Sequence, residues 1–387
     1  MTSCLIWYIL GNMYIPRQLE PIVKKSLFKG KIIIIYGARQ VGKTTLVKKI
    51  AKDFGKSFGY LNCDELDVLS QFQKANNSIA LRQMMGNNKL VIIDEAQRVR
   101  NIGIKLKLIF DNYPEIQLLV TGSSSLDLSN EISEPLTGRC DEYWLFPLSV
   151  KEVWQKSDNI SRDRDLEKWL IYGSYPEIWN LESNEEKSIK IKQLAANYLY
   201  KDILKFNEIK NSETILKLLQ ALSLQIGSEV SFSELARTIG VSKQTIASYI
   251  DLLTKVFVVF SLRPYSGNLR QALNKKRKIY FLDVGIRNAI INNQNPLAIR
   301  DDVGKLWENF IIAEKYKTQL GLGYKTNLYF WRTYEGQEVD LVEDKNGELI
   351  GWEIKLKRKG RKQPKDWGSY KNSSWKEVDK ENYWEII

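Results

Sequence analysis

The chemistry-bearing residues of this 387-residue chain fall into two groups. The first is GARQVGKTT, residues 37–45, which follows a run of four isoleucines and leads into a helical pattern. A buried strand, a glycine-rich loop and a helix start, in that order, build a cradle for phosphate. Gly37 and Gly42 let backbone amides turn toward phosphate oxygens, and Ala38, Gln40, Val41 and Thr45 complete the loop. Lys43 is positioned for the β- and γ-phosphates and Thr44 for Mg²⁺, while the helix N-terminus favours the anion. Arg39 is left with two readings, a phosphate contact or a partner contact. The second group is Asp340, Glu353 and Lys355, on two short runs in VDLVEDKNGELIGWEIKLKRK, residues 339–359.

The first group has further members downstream. KLVIIDEAQRV is a short β-branched run ending in two acids. At the carboxyl end of a buried strand, Asp94 becomes the Mg²⁺ ligand and Glu95 the general base that polarises the attacking water. IQLLVTGSSSLDL reads as another buried strand, whose tip neighbours that of the Asp94 strand in an AAA-type sheet. Ser123 then serves either as a γ-phosphate sensor or as a plain loop serine. Arg139, in LTGRCDEYWLFPLS, is either an arginine finger or a surface arginine.

In the second group, Asn346-Gly347 suits a two-residue type I′ turn, which pairs Lys345 with Glu348. Counting outward sets Asp340 opposite Glu353, and Leu341 opposite Trp352 on the other face. A one-residue slip would mix polar and apolar on both faces. Two carboxylates about 5 Å apart repel by roughly 3 kcal/mol at an effective dielectric near 20. A divalent cation, Mg²⁺ or Mn²⁺, between Asp340 and Glu353 removes that conflict, and Lys355 would orient or deprotonate the attacking water. The bland reading makes Glu338–Lys355 a cross-strand ion pair and Asp340 a solvated acid. The basic run KLKRKGRKQPK that follows suits a phosphate backbone or plain solvent.

Composition limits what can position these groups. The length allows two or three domains, and 43% hydrophobic with 27% charged residues is a globular balance. There is no histidine, which excludes His-based triads, HNH-type sites and almost any zinc centre. Three scattered cysteines fit a reducing cytoplasm. No apolar run reaches the roughly 18–20 residues of a membrane span. MTSCLIWYILGN lacks the basic start of a secretory signal, and the reading starts the natural chain at Met13. The net charge of +12 permits a polyanionic partner without requiring one.

Residues 151–210 read as a helical lid and connector. SFSELARTIGVSKQTIASYIDLLTK reads as a helix-turn-helix: Ser231 or Ser233 caps the first helix, Gly240 turns, and Ser242 caps the second. Leu235, Ala236, Ile239, Ile246, Ile250 and Leu253 face inward. Lys243, Gln244, Thr245 and Ser248 face outward, suited to phosphates and base edges. FVVFSL and KKRKIYFL would be wing strands, with Lys275, Lys276, Arg277 and Lys278 near the tip.

GARQVGKTTL, LVIIDEAQRV, TGSSS and LTGR…FPLS resemble a prokaryotic family of AAA-type ATPases with a C-terminal region of unknown function. YGSYPEI, NYLYKDI, KIYFLDVGIRNAI, GKLWENFI and GQEVDL…GWEIK carry the resemblance from Met13 almost to the end. It implies an α/β architecture: a P-loop NTPase core (13–150) with helices on both faces of a parallel sheet, a connector (151–210), a winged helix (211–290) and a restriction-endonuclease-like domain of PD-(D/E)xK type (296–387). Glu308 resembles the extra metal-binding acid of such domains. The expected function is a Mg²⁺-dependent ATPase coupled to a DNA-binding, nuclease-like region. The alternative is a nucleotide-dependent switch that binds a protein partner or a second copy of itself and carries an inert C-terminal domain.

Overall fold

KIIIIYG becomes an interior strand of the first sheet, because four β-branched residues in a row suit a strand covered on both faces. Strand β1 (Ile32–Tyr36) is buried throughout. The computed structural model describes residues 14–55, 57–122, 134–154, 159–198, 212–266, 276–323, 327–357, 360 and 362–387. Ser123, Lys275 and residues 1–12 lie outside them. The chain divides into two compact units, Met1–Leu148 and Ser149–Ile387.

In the first unit, α1 (Leu19–Ser26) precedes β1, and α2 (Lys43–Asp53) follows the glycine-rich loop. Strands β2 (Gly59–Asn62), β3 (Leu90–Asp94), β4 (Gln117–Gly122) and β5 (Cys140–Trp144) complete the sheet, with α3 (Ile102–Asn112) between β3 and β4. All pairings are parallel and the order is β2-β3-β4-β1-β5, so one strand separates β1 from β3. The tips of β1, β3 and β4 therefore open on the same edge, as the P-loop reading requires.

The second unit begins with helices, including α4 (Asn159–Tyr172), then α5 (Ser212–Leu224), β6 (Glu229–Val230), α6 (Phe232–Ile239) and α7 (Lys243–Lys255). Ser231 and Ser242 cap α6 and α7 through their side chains, and Gly240 ends α6 with φ +82°. Leu235, Ala236, Ile246, Ile250 and Leu253 are buried as expected, while Ile239 is half-buried. Strands β7 (Val259–Pro264) and β8 (Arg277–Phe281) follow, then α8 (Val284–Ile290) and α9 (Val303–Gly321). The last strands are β9 (Asn327–Arg332), β10 (Glu338–Lys345), β11 (Glu348–Ile354) and β12 (Ser373–Val378).

Two expected boundaries fall inside the second compact unit. The expected lid packs within the second unit: Asn288 Nδ2 donates to Leu170 O and Ile171 O at 2.9 Å, and Ser174 donates to the Asp283 carboxylate. The regions on either side of 290–296 share a sheet. One seven-stranded sheet, β12-β11-β10-β9-β7-β8-β6, runs through both regions, because β7 pairs parallel with β9. YGSYPEI and FLDVG prove to be a joint. Asp283 caps α8 and also takes the Ser174 amide at 2.7 Å, and a Cβ on Gly173 would strike its carboxylate at 2.1 Å. Among the described residues, no helix is long and apolar enough to cross a membrane.

Candidate functional site

The phosphate loop is shaped by its neighbours. A Cβ on Gly37 would lie 2.2 Å from the Leu145 carbonyl oxygen, so the close exit of the β5 strand demands glycine there. Gly42, at φ +97°, caps α2, and Gln40 is also left-handed at φ +60°. Lys43 is buried, and its Nζ donates to the carbonyls of Gly37 and Ala38 at 2.9 Å each. Arg17, just before α1, donates to Val41 O at 2.7 Å and Phe146 O at 2.6 Å, pinning the loop from the side. Sequence reading missed Arg17 because its partners lie 24 and 129 residues away.

Asp94 ends β3 and is buried beneath three hydroxyls. Thr44 Oγ1 donates to its Oδ2 at 2.8 Å, Tyr60 Oη to the same oxygen at 2.7 Å, and Thr121 Oγ1 to Oδ1. Thr44 and Asp94 thus meet as two hard oxygen donors beside the loop, a fit for Mg²⁺. Beside Asp94, burial raises the Tyr60 hydroxyl pKa above its ordinary range, and the hydrogen bond to Asp94 adds to it. Glu95 takes a left-handed backbone, φ 55° and ψ 42°, uncommon for a residue with a Cβ. Its amide donates to Thr121 Oγ1 at 3.1 Å, and its carboxylate accepts from Gln97 Nε2 at 2.5 Å. The buried hydroxyl at the β4 tip is therefore Thr121, two residues before the expected Ser123. Burial pushes the Cys63 thiol up to about 12 and the Cys140 thiol up to about 11, so neither suits nucleophilic work.

Of its two readings, Arg139 takes the surface one. It lies just before β5, where Ile32 pairs with Cys140, at the amino end of the strands. Five strand residues, about 16 Å, separate that edge from the loop. Its guanidinium pairs with Asp111, with Nε at 2.9 Å and a second contact at 3.3 Å, so it is no finger for its own nucleotide.

The hairpin keeps the register expected from its turn, from Lys345–Glu348 to Leu341–Trp352, with Asn346 and Gly347 both at positive φ. Beyond that point the ladder changes. A bulge between Val339 and Val342, opposite β9, re-aims Asp340, whose Oδ2 accepts the Ile354 amide at 2.8 Å. Lys355 Nζ bridges the two acids, 2.8 Å from Asp340 and 3.0 Å from Glu353. Glu338 pairs not with Lys355 but with Lys278, at 2.6 Å. Lys278 is likewise no wing-tip residue: it is 2% exposed and also meets Glu308 at 3.3 Å. Tyr280, on the same face of β8, donates to Glu308 at 2.8 Å.

Burial pushes the Glu308 carboxyl up to about 7, with Lys278 pulling it down and the Asp340 charge adding to the rise. Burial works against the charge on Lys278, but the carboxylates of Glu308, Glu338 and Asp340 outweigh it and raise its pKa. Glu338, Asp340, Glu353 and Lys355 line an open cleft together with Lys362 and Trp375. Among the described residues, no group of three or more acids or cysteines could hold a metal ion. Glu308, Asp340 and Glu353, expected as a metal shell, are not gathered into one, and each has an ammonium group on one of its oxygens.

Residues 29–154 match a family described as "AAA domain". Residues 163–297 and 303–379 match two domains of unknown function, DUF8612 and DUF4143. An uncharacterized protein of Mycobacterium tuberculosis is 29% identical over 337 residues, covering 86% of this chain and 72% of that one. An uncharacterized protein of Methanocaldococcus jannaschii is 26% identical over 364 residues, covering 88% and 79%. Among solved structures, the Thermotoga maritima RuvB Holliday junction branch migration motor is 18% identical, covering 64% of this chain and 89% of that one at a TM-score of 0.29. A likeness that remote says nothing of function. The parallel sheet and the loop give the N-terminal unit an α/β P-loop NTPase fold, and residues 29–154 are similar to the AAA domain family.

Proposed function

We propose that the first unit binds and hydrolyses ATP with Mg²⁺. The observation that carries this is the 2.8 Å hydrogen bond joining Thr44 of the loop to Asp94 of the next strand but one. Mg²⁺, when bound, neutralises phosphate charge, and Thr44 and Asp94 are the residues that would hold it. The chain's own groups perform the rest. Lys43 exchanges the Gly37 and Ala38 carbonyls for phosphate oxygens, and the loop amides of residues 38–45 orient the anion. Glu95 takes the proton of the attacking water, and Thr121 holds the backbone on which Glu95 is presented. The test pairs Lys43→Ala with Glu95→Gln, using fluorescent-nucleotide binding and phosphate release. Both variants lose turnover, and Glu95→Gln keeps binding. Unchanged turnover in Glu95→Gln removes that residue from the mechanism.

A second reading concerns the middle of the chain. Helix, strand, two capped helices and two further strands, α5-β6-α6-α7-β7-β8, is the order of a winged helix, and Lys243, Gln244 and Ser248 of α7 are exposed. These side chains suit a DNA backbone and groove. Fluorescence anisotropy with a short duplex tests it: affinity falls with salt and weakens further in Lys243→Glu. An affinity that ignores salt favours a protein partner for the same surface.

A further inference from the structure

The D…E-x-K arrangement of Asp340, Glu353 and Lys355 invites a divalent cation, and the structure supplies a different one. Lys278 comes from β8, far from the hairpin in sequence, and its backbone is fixed between β6 at Glu229 and β7 at Leu262. Its side chain is 2% exposed, and its Nζ is shared between Glu338 at 2.6 Å and Glu308 at 3.3 Å. Lys355 divides itself between Asp340 and Glu353, and the Asp340 Oδ2 that it meets also accepts the Ile354 amide. Four carboxylates thus face two ammonium groups, and one oxygen of each, Glu308 Oε1, Glu338 Oε1, Asp340 Oδ2 and Glu353 Oε1, already has a donor. A metal ion drawn in by these carboxylates would compete with the two ammonium groups for the same negative charge. Its entry would strip a buried ammonium of its partners with no route to water, the situation that makes breaking a buried ion pair so unfavourable.

We propose that Lys278 is the resident inner cation of this cluster, supplying beside Lys355 the positive charge a divalent metal would bring and keeping metal out of the wild-type chain. Lys355, a quarter exposed at the cleft, is the outer of the two ammonium groups; Lys278 is the inner one. The proposal is independent of the ATPase reading, because it concerns the nucleotide-free chain.

The test titrates Mn²⁺ into the full-length, nucleotide-free protein and follows free Mn²⁺ by electron paramagnetic resonance. Glu353→Gln marks which binding belongs to this cluster. Wild type and Lys278→Arg show no Mn²⁺ binding that Glu353→Gln removes. Lys278→Met, close in volume and uncharged, gains such a site with affinity at least roughly tenfold above any in wild type. The Lys278→Met/Glu353→Gln pair loses it again. Two results overturn the proposal: Glu353-dependent Mn²⁺ binding in wild type, or a folded Lys278→Met that gains none. If thermal melts show that Lys278→Met does not fold, the comparison of wild type with Glu353→Gln decides alone. Glu353-dependent binding then refutes the resident cation, and its absence upholds it.

Discussion

Asp94 and Asp340 are both buried aspartates on strands, Asp94 with donors on both carboxylate oxygens and Asp340 with two donors on Oδ2. They differ in what engages them. Asp94 is held by the hydroxyls of Thr44, Tyr60 and Thr121, which satisfy its lone pairs and leave its charge uncancelled. Asp340 is held by a backbone amide and the Lys355 ammonium, with Lys278 close behind. A carboxylate dressed in neutral donors keeps its attraction for Mg²⁺ and can trade a hydroxyl for it. A carboxylate facing lysine has already spent that attraction. Buried acids therefore indicate a metal site only once the charge of their partners is counted.

The contrast can be broken at several points. Lys278→Met should have the largest effect, about 3–5 kcal/mol of stability lost in urea unfolding, because it leaves buried carboxylates unpaired. Loss of less than about 1 kcal/mol would mean those acids are better solvated than their burial indicates. Asp94→Asn should lower ATP turnover about 100-fold, or about 2.7 kcal/mol of barrier, with fold and thermal melt retained. Tyr60→Phe should be milder, removing one of three hydroxyls. We expect about 1 kcal/mol, read as a roughly five-fold rise in the Mg²⁺ needed for half-maximal turnover. An unchanged Mg²⁺ requirement would make Tyr60 a packing residue.

The smallest expected effect is on pH dependence. Glu308 titrates near 7 in the folded chain against an ordinary 4.5, so between those values the folded state holds a proton that the unfolded state has released. Stability is full below about 4.5 and falls as pH rises through about 7, by on the order of 1 kcal/mol given the nearby lysines. Glu308→Gln should flatten that slope, and a wild-type profile already flat across the window would show Glu308 ionised throughout.

The sequence made the phosphate loop readable because its residues are contiguous and glycine punctuates them. The hairpin register was readable too, since Asn346-Gly347 and the alternation of Leu341 and Trp352 fix it locally. What stayed hidden depends on distant strands. Arg17, Tyr60 and Thr121 converge on the loop and Asp94 from separate elements, and no local pattern marks them. Lys278 was misread because KKRK looks like a solvated run. The signal that could have placed it is the period of two in KIY, which sets Lys278 and Tyr280 on one face of β8, pointing where Glu308 lies. The β10 bulge also has no residue signature, so a simple count could not foresee how Asp340 turns onto Ile354.

The parallel pairing of Arg263–Pro264 with Tyr329–Phe330 governs how this chain can be dissected. A cut near residue 295, where sequence motifs suggest a seam, would leave β7 and β9 each with an open edge prone to illicit pairing. The C-terminal fragment would also keep Glu308, Glu338, Asp340 and Glu353 while leaving Lys278 behind. Neither piece would be a fair sample of its parent. The α6–α7 helix pair and the acid-lined cleft therefore belong to one structural unit that a truncation should leave whole.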